Sequence, residues 1–249
     1  MAATKPDVTG CQMYYQMNET SGNRTDEVGS YTLTDVNTVG YRTGVQGNAA
    51  LAVGGSSEHL YRYDGAEFNF FGGGNSWTIF GWLYATSLPS SHMRPLCKYS
   101  STQKQFLMYR HYTFGASYLA AYVYNTSGAS ANSRTAIDIP SAAWFSVTVR
   151  FDGTTGDIVL RVGGVNQTKG TLAGTQKDGS ASLKFGNYDG ASSGYWNGAW
   201  DEFSFWDSYL TDDECLWMEN SGSGRTWADH QSVVTPTLRF TRALQGVGR

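Results

Sequence analysis

Nine consecutive residues, Gly198-Ala199-Trp200-Asp201-Glu202-Phe203-Ser204-Phe205-Trp206, pack four aromatic rings around an adjacent Asp-Glu pair. A segment so rich in bulky rings suits a pleated strand buried on at least one face. Directly after it, Tyr209-Leu210-Thr211-Asp212-Asp213-Glu214 carries the start signals of a helix. Thr211 is a good N-cap, and Glu214 three residues on completes a capping box. Asp212 and Asp213 favour the positive end of the helix dipole. Leu210 and Cys215 supply a hydrophobic staple, and Gly222 suits the C-terminal stop. The pattern predicts a strand running into one short helix near residues 212–220.

The rest of the chain reads as strands. In residues 77–84, Trp77, Ile79, Gly81 and Leu83 share one face, while Thr78, Phe80, Trp82 and Tyr84 share the other. In residues 144–151, Val147, Val149 and Phe151 point inward, with Ser146, Thr148 and Arg150 outward. Asp152-Gly153-Thr154-Thr155-Gly156 is a hairpin signal, after which Ile158, Leu160 and Val162 form the next inward face. Further strands are expected at 11–17, 31–34, 49–55, 59–63, 106–112, 118–124 and 183–186. With 30 glycines, 5 prolines and only 16% charged residues, the composition fits many short strands joined by glycine turns. The expected fold class is all-β, a two-sheet antiparallel β-sandwich of jelly-roll type.

Charge and cysteine content limit the partners. A net charge of -3 argues against nucleic acid, which calls for a basic stripe. No apolar run reaches membrane-spanning length, so no membrane insertion is expected. The first residues hold no apolar stretch, which predicts no secretory signal. Cys11, Cys97 and Cys215 are odd in number, and their spacing fits neither a zinc site nor a disulfide framework. They are expected to be buried thiols in a reducing compartment.

Five segments, in order, resemble laminin-G-like domains of the concanavalin A-like lectin/glucanase superfamily. Tyr14-Tyr15-Gln16-Met17-Asn18-Glu19-Thr20-Ser21-Gly22 is similar to the family's opening strand and turn. Gly47-Asn48-Ala49-Ala50-Leu51, with Gly54-Gly55-Ser56-Ser57-Glu58-His59-Leu60, resembles the second block. Residues 77–83 are similar to the aromatic-Thr-Ile-x-x-Trp-Val strand, and residues 144–153 with Gly163-Gly164-Val165 to the central hairpin. The closing strand and capped helix are the stretch from Gly198 to Glu214. The resemblance covers roughly residues 10–222 and implies a laminin-G-like sandwich over 1–225, with 226–249 set apart as a C-terminal extension.

Such domains usually bind ligands and do no chemistry. The superfamily's laminarinase-like endoglucanases carry a Glu-x-Asp-x-x-Glu pattern on one strand, which is lacking here. Asp201 and Glu202 are adjacent, so alternation is expected to send them to opposite faces. His59, His92, His111 and His230 are scattered without a nucleophile motif. No catalytic residue is assigned, and the chain is expected not to be an enzyme. The resemblance implies a structural role for the pair: one carboxylate accepts backbone N–H groups from a neighbouring loop and the other faces the outer surface. No cofactor and no metal ligand is assigned. A structural calcium stays open, with Glu58, Asp64, Asp152, Asp157 and Asp189 as candidate oxygens in separate loops.

Glycans are held by stacking sugars on exposed rings beside polar groups. Two clusters qualify. The loop at 187–197 offers Tyr188, Asp189, Tyr195, Trp196 and Asn197. The face bearing Phe80, Trp82 and Tyr84 could join Tyr118, Tyr122 and Tyr124, if those strands are neighbours. The same rings also suit core packing or a subunit interface.

Residues 226–249 hold Arg239, Arg242 and Arg249 against one acid, Asp229, and residues 233–240 alternate like a strand. They read as an arm adding to a neighbouring subunit's sheet edge, a tail, or a strand of the chain's own sandwich. Laminin-G-like domains normally act outside cells, yet neither a secretion signal nor disulfide pairing is expected. A bacteriophage structural protein reconciles these points. The expectation is a non-enzymatic virion protein, a capsid-decoration or tail-associated subunit made in the host cytoplasm. It would contact other virion proteins or copies of itself through 226–249 and present a glycan-binding face. The alternative is a free-standing carbohydrate-binding lectin domain from a secreted, extracellular protein.

Overall fold

Two aromatic strands, one from each half of the chain, pair at the centre of a sheet and organise the fold. The computed structural model describes residues 3–114, 116–190 and 192–232. Among the described residues the strands are β1 (Cys11–Tyr15), β2 (Thr34–Val36), β3 (Gly40–Thr43), β4 (Asn48–Ala52), β5 (His59–Arg62), β6 (Trp77–Ala85), β7 (Met93–Tyr99) and β8 (Lys104–His111). The second half adds β9 (Tyr118–Tyr124), β10 (Ser130–Arg134), β11 (Trp144–Phe151), β12 (Asp157–Val162), β13 (Val165–Asn166), β14 (Gly170–Thr171), β15 (Leu183–Phe185) and β16 (Gly198–Trp206). Two helices follow, α1 (Asp212–Glu219) and α2 (Trp227–Gln231).

The first sheet runs β13-β12-β11-β6-β16-β4-β3, with β1 also against β16 and β14 against β12. The second runs β10-β9-β8-β7-β15-β5-β2. Pairing within both is antiparallel, and the core fills the space between them, as expected for a β-sandwich consistent with a jelly roll. Val149 lies opposite Ile79 and Phe151 opposite Trp77, so the period-2 faces of β11 and β6 enter the core together. Leu60, Leu96, Phe106, Met108, Leu119, Val123 and Phe185 meet them from the second sheet. Gly81 is fixed by this packing: a Cβ there would come within 2.5 Å of the Phe203 ring.

The centre of β16 departs from plain alternation. Asp201 pairs with Trp82 and Ser204 with Phe80, so three steps on β16 match two on β6. The extra residue is Glu202, whose φ of 49° lies in the left-handed region. This bulge keeps Trp200, Phe203 and Phe205 in the core and turns Asp201, Glu202, Ser204 and Trp206 to the outer side. The two carboxylates therefore share one face, which corrects the expectation of opposite faces.

That outer side is not solvent. Tyr14, Phe80, Trp82, Trp206, Leu210, Cys215, Met218 and Trp227 form a second buried cluster, roofed by α1 and α2. The α1 capping box forms as expected: the Glu214 N–H donates to Thr211 Oγ1, and Thr211 N–H donates to Glu214 Oε2. Thr226 and Asp229 form a second capping box at α2, which the sequence reading does not assign. Residues 226–232 of the expected arm are thus part of the sandwich, with Trp227 and His230 buried on Tyr14. Trp227 and His230 thus cover part of the outer sheet face from beyond position 225. The remainder of the arm, 233–249, lies outside the described residues. Cys11, Cys97 and Cys215 are buried and free.

Candidate glycan-binding face

The outer face of the second sheet is tiled with rings. Leu119, Ala121 and Val123 of β9 enter the core, which leaves Tyr118, Tyr122 and Tyr124 outside and half-buried. On β8, Phe106 and Met108 point in, so Tyr109 and His111 point out. Leu96 of β7 points in, and Arg94 and Tyr99 stand outside. His111 stacks on Tyr118 with centroids 5.0 Å apart and planes 5° from parallel. His92 lies 5.0 Å from Tyr109 and 4.7 Å from His111. Tyr99 touches Tyr124 and Tyr188, each at 5.5 Å.

Charge on this face is mostly positive. Arg94 lies 4.5 Å from the Tyr188 ring centroid and 5.1 Å from that of Tyr109. Arg134 lies 4.8 Å over Tyr118, and Lys184 is 6.0 Å from the Tyr61 ring and 3.4 Å from Asp189. His92 and His59 add little charge at neutral pH. Burial holds His92 below its ordinary value, helped by His111, Arg94 and Arg110, and its Nδ1 accepts from Tyr112 N–H. Burial lowers His59 in the same direction. The Tyr122 hydroxyl is pushed up to about 12, first by burial and then by Tyr118. It remains a neutral donor and acceptor over the physiological range.

The two expected clusters are sorted by this geometry. The loop at 187–197 is pinned beside β7: Asp189 N–H donates to the Tyr99 carbonyl and Trp196 N–H to the Gly186 carbonyl. Tyr188, Asp189 and Tyr195 thereby reach the face, Tyr195 through His59 at 6.0 Å. Trp196 does not, because it is 0% exposed and serves the core. Asn197 braces the loop base, donating to Ser87 Oγ and accepting from Gly54 N–H. Tyr122 is on the face, but Trp82 and Tyr84 belong to the other sheet, so the expected joining of these strands is corrected. Trp82 is buried under the helices, and Tyr84 is covered by Arg42 at 3.4 Å and by Trp144. The sequence reading misses Tyr99, Tyr109, Arg94 and Lys184; period-2 alternation signals Tyr109 in β8 and Lys184 in β15, whereas register shifts in β7 hide Arg94 and Tyr99.

The acidic pair has no access to substrate. Asp201 and Glu202 are both 0% exposed. Asp201 Oδ2 accepts from Val45 N–H (2.6 Å) and Gln46 N–H (3.0 Å), the loop-clamping role the resemblance implies. Glu202, expected at the surface, instead sits 2.5 Å from the Tyr14 hydroxyl. Burial raises Asp201 to about 7, and burial together with Asp201 raises Glu202 to about 9. The candidate calcium oxygens are engaged within the protein. Asp64 pairs with Lys98, Asp157 with Lys169 and Asp189 with Lys184, while Glu58 accepts from Val53 N–H and Asp152 from Thr154 N–H.

A groove of about 500 Å³ lies on the opposite side, lined by Trp82, Trp144, Leu216 and Glu219. Its carboxylate is already occupied, since Glu219 pairs with Arg161 at 2.9 Å and accepts from Ser146. The tyrosine face sets several half-buried rings side by side, next to hydroxyls and cations.

A laminin G family model, described as the concanavalin A-like lectin/glucanases superfamily, matches residues 63–215. The chain belongs to this superfamily. No curated protein sequence matches it. Among solved structures it resembles the binding domain of Paraclostridial Mosquitocidal Protein 1, with a TM-score of 0.69 and 13% identity over 86% of this chain and 53% of that one. It also resembles domain 4 of AbnA, a GH43 extracellular arabinanase from Geobacillus stearothermophilus, solved with arabinotriose. That likeness has a TM-score of 0.63 and 17% identity over 86% of this chain and 98% of the domain. The binding domain of botulinum neurotoxin DC in complex with SialylT matches with a TM-score of 0.63 and 13% identity, over 87% of this chain and 52% of that one. The chain spans about half the length of each toxin chain it matches. At these identities the likeness is one of fold.

Proposed function

We propose that this chain is a non-catalytic, lectin-like domain that binds a glycan on the outer face of its second sheet. The observation that carries the reading is the set of half-buried rings Tyr99, Tyr109, Tyr118, Tyr122 and Tyr188, interleaved with Arg94 and His111 on a rigid sheet. Such rings stack on the apolar faces of sugars, and the neighbouring hydroxyls and cations orient them. The arabinotriose and SialylT complexes of structural neighbours support the reading. Burial of Asp201 and Glu202 supports a non-catalytic role. The test is binding of the full chain to a glycan array, beside a Tyr109→Ala/Tyr122→Ala double variant. Signal that the double variant loses supports the face; signal that it retains moves the site elsewhere.

The setting we propose is a virion, with the chain as a bacteriophage capsid-decoration or tail-associated subunit. Three buried, unpaired thiols support a domain that folds in a reducing cytoplasm and works elsewhere. Contacts to other virion proteins, or to copies of itself, would run through the remaining part of the arm, 233–249. Light scattering of the full chain and of a chain ending at Ser232 tests this. An oligomer that dissociates on truncation supports assembly through the arm. A monomer in both cases, with glycan binding intact, favours the free-standing extracellular lectin.

A further inference from the structure

The tyrosine face carries more positive charge than a neutral sugar needs. Arg94, Arg134 and Lys184 all lie over rings of this face, and the carboxylate of Asp189 beside them is taken by Lys184. The chain as a whole is net negative at -3, so the excess is local. Among the described residues, neither Arg94 nor Arg134 has a carboxylate within ion-pair distance.

Arg94 is the best-formed anchor. Its guanidinium contacts the rings of Tyr188 and Tyr109. Among the described residues, the guanidinium hydrogen bonds go through Nη1 alone, to the carbonyls of Ser193 (3.0 Å) and Gly194 (3.5 Å). The Nε–Nη2 edge is therefore left for a planar or tetrahedral anion, and that edge takes a carboxylate side-on. A guanidinium already held by ring contacts and backbone loses less freedom on binding than a solvated lysine. Arg134, exposed at the β10 edge, adds a second cation.

We infer that the ligand of this face is an acidic glycan, whose carboxylate or sulfate group is held on the Nε–Nη2 edge of Arg94 while its sugar rings lie against the neighbouring tyrosines of the face. This rests on the glycan-binding reading above and specifies its ligand class.

The test uses the full chain and four immobilised oligosaccharide sets: sialylated, uronate-containing, sulfated, and their neutral parents. The expected result is binding to one or more acidic sets at least about ten-fold tighter than to the neutral parents, weakened by added salt. Arg94→Gln should lose this preference while keeping residual neutral binding, and Tyr109→Ala should weaken both. The acidic set that binds tells carboxylate from sulfate. Should Arg94→Gln disturb the 187–197 loop, Arg134→Gln, at an exposed site, serves instead and should reduce the acidic preference and its salt dependence. Equal binding of acidic and neutral sets, unaltered by either arginine variant, overturns the acidic-ligand inference and leaves glycan binding standing. Failure of all four sets to bind removes both.

Discussion

The Tyr14 hydroxyl lies 2.5 Å from Glu202 Oε2 and 2.7 Å from the Arg225 carbonyl oxygen, and it has one proton to give. Two acceptors cannot both be served by one O–H. The arrangement is satisfied when Glu202 is the neutral acid: it donates to Tyr14, and Tyr14 donates to Arg225. Burial, with Asp201 beside it, raises Glu202 to about 9 and so keeps that proton at neutral pH. The chain of hydrogen bonds ties β1 and β16 to the segment between α1 and α2.

A pH dependence follows. The folded Glu202 keeps its proton up to about 9, whereas the unfolded chain releases it near the ordinary carboxylate value. Between those points the folded state binds more protons, so stability falls as pH rises and levels off above about 9. Asp201, at about 7, contributes in the same direction and finishes earlier. Thermal melts of wild type and Glu202→Gln from pH 5 to pH 9 check this. Between about pH 7 and 9 the variant should lose most of the decline, which one retained proton sets at about 1.4 kcal/mol for each pH step of one. An unchanged slope in the variant would contradict a neutral Glu202.

Asp201→Ala should destabilise strongly. Its Oδ2 is the shared acceptor for the Val45 and Gln46 N–H groups. Truncation leaves two partly buried donors unserved, at a cost of about 2–4 kcal/mol. Asp157→Ala, which removes a surface pair with Lys169, should leave the melting temperature almost unchanged. Similar melting temperatures for the two variants would contradict the clamp.

Truncation separates the helix from the arm. Ending the chain at Arg225 removes Trp227 and His230, which pack on Tyr14, Trp206 and Trp217. Losing a buried Trp costs about 3–5 kcal/mol. That chain should melt well below wild type, whereas one ending at Ser232 should melt close to it. Equal melting of both truncations would contradict α2 as part of the sandwich.

What can be read from the sequence is local. Val147, Val149 and Phe151 announce their face through alternation, and Thr211 with Glu214 announces α1 through chemistry within one turn. The bulge at Glu202 cannot be read this way, because it exists only in register with Trp82 and Phe80. Trp82 and Tyr122 show the same limit. Each sits on a convincing alternating strand, but strand order decides that one face is roofed by helices and the other is open. Trp196 sits in a loop of Gly, Ser and Asn that reads as exposed, and its ring nonetheless fills the core. The Thr226–Asp229 capping box is as legible as the one at α1, but it lies outside the laminin-G-like pattern that guides the reading.

An NMR titration of the full chain, with its tyrosine rings isotopically labelled, against the tightest-binding array glycan locates the ligand on the molecule. The shifts should concentrate on Tyr99, Tyr109, Tyr118, Tyr122 and Tyr188, while Tyr14 and Tyr84, on the other side of the molecule, stay still. Shifts centred on Tyr84 instead, beside Trp144 and the α1 groove, would contradict that placement.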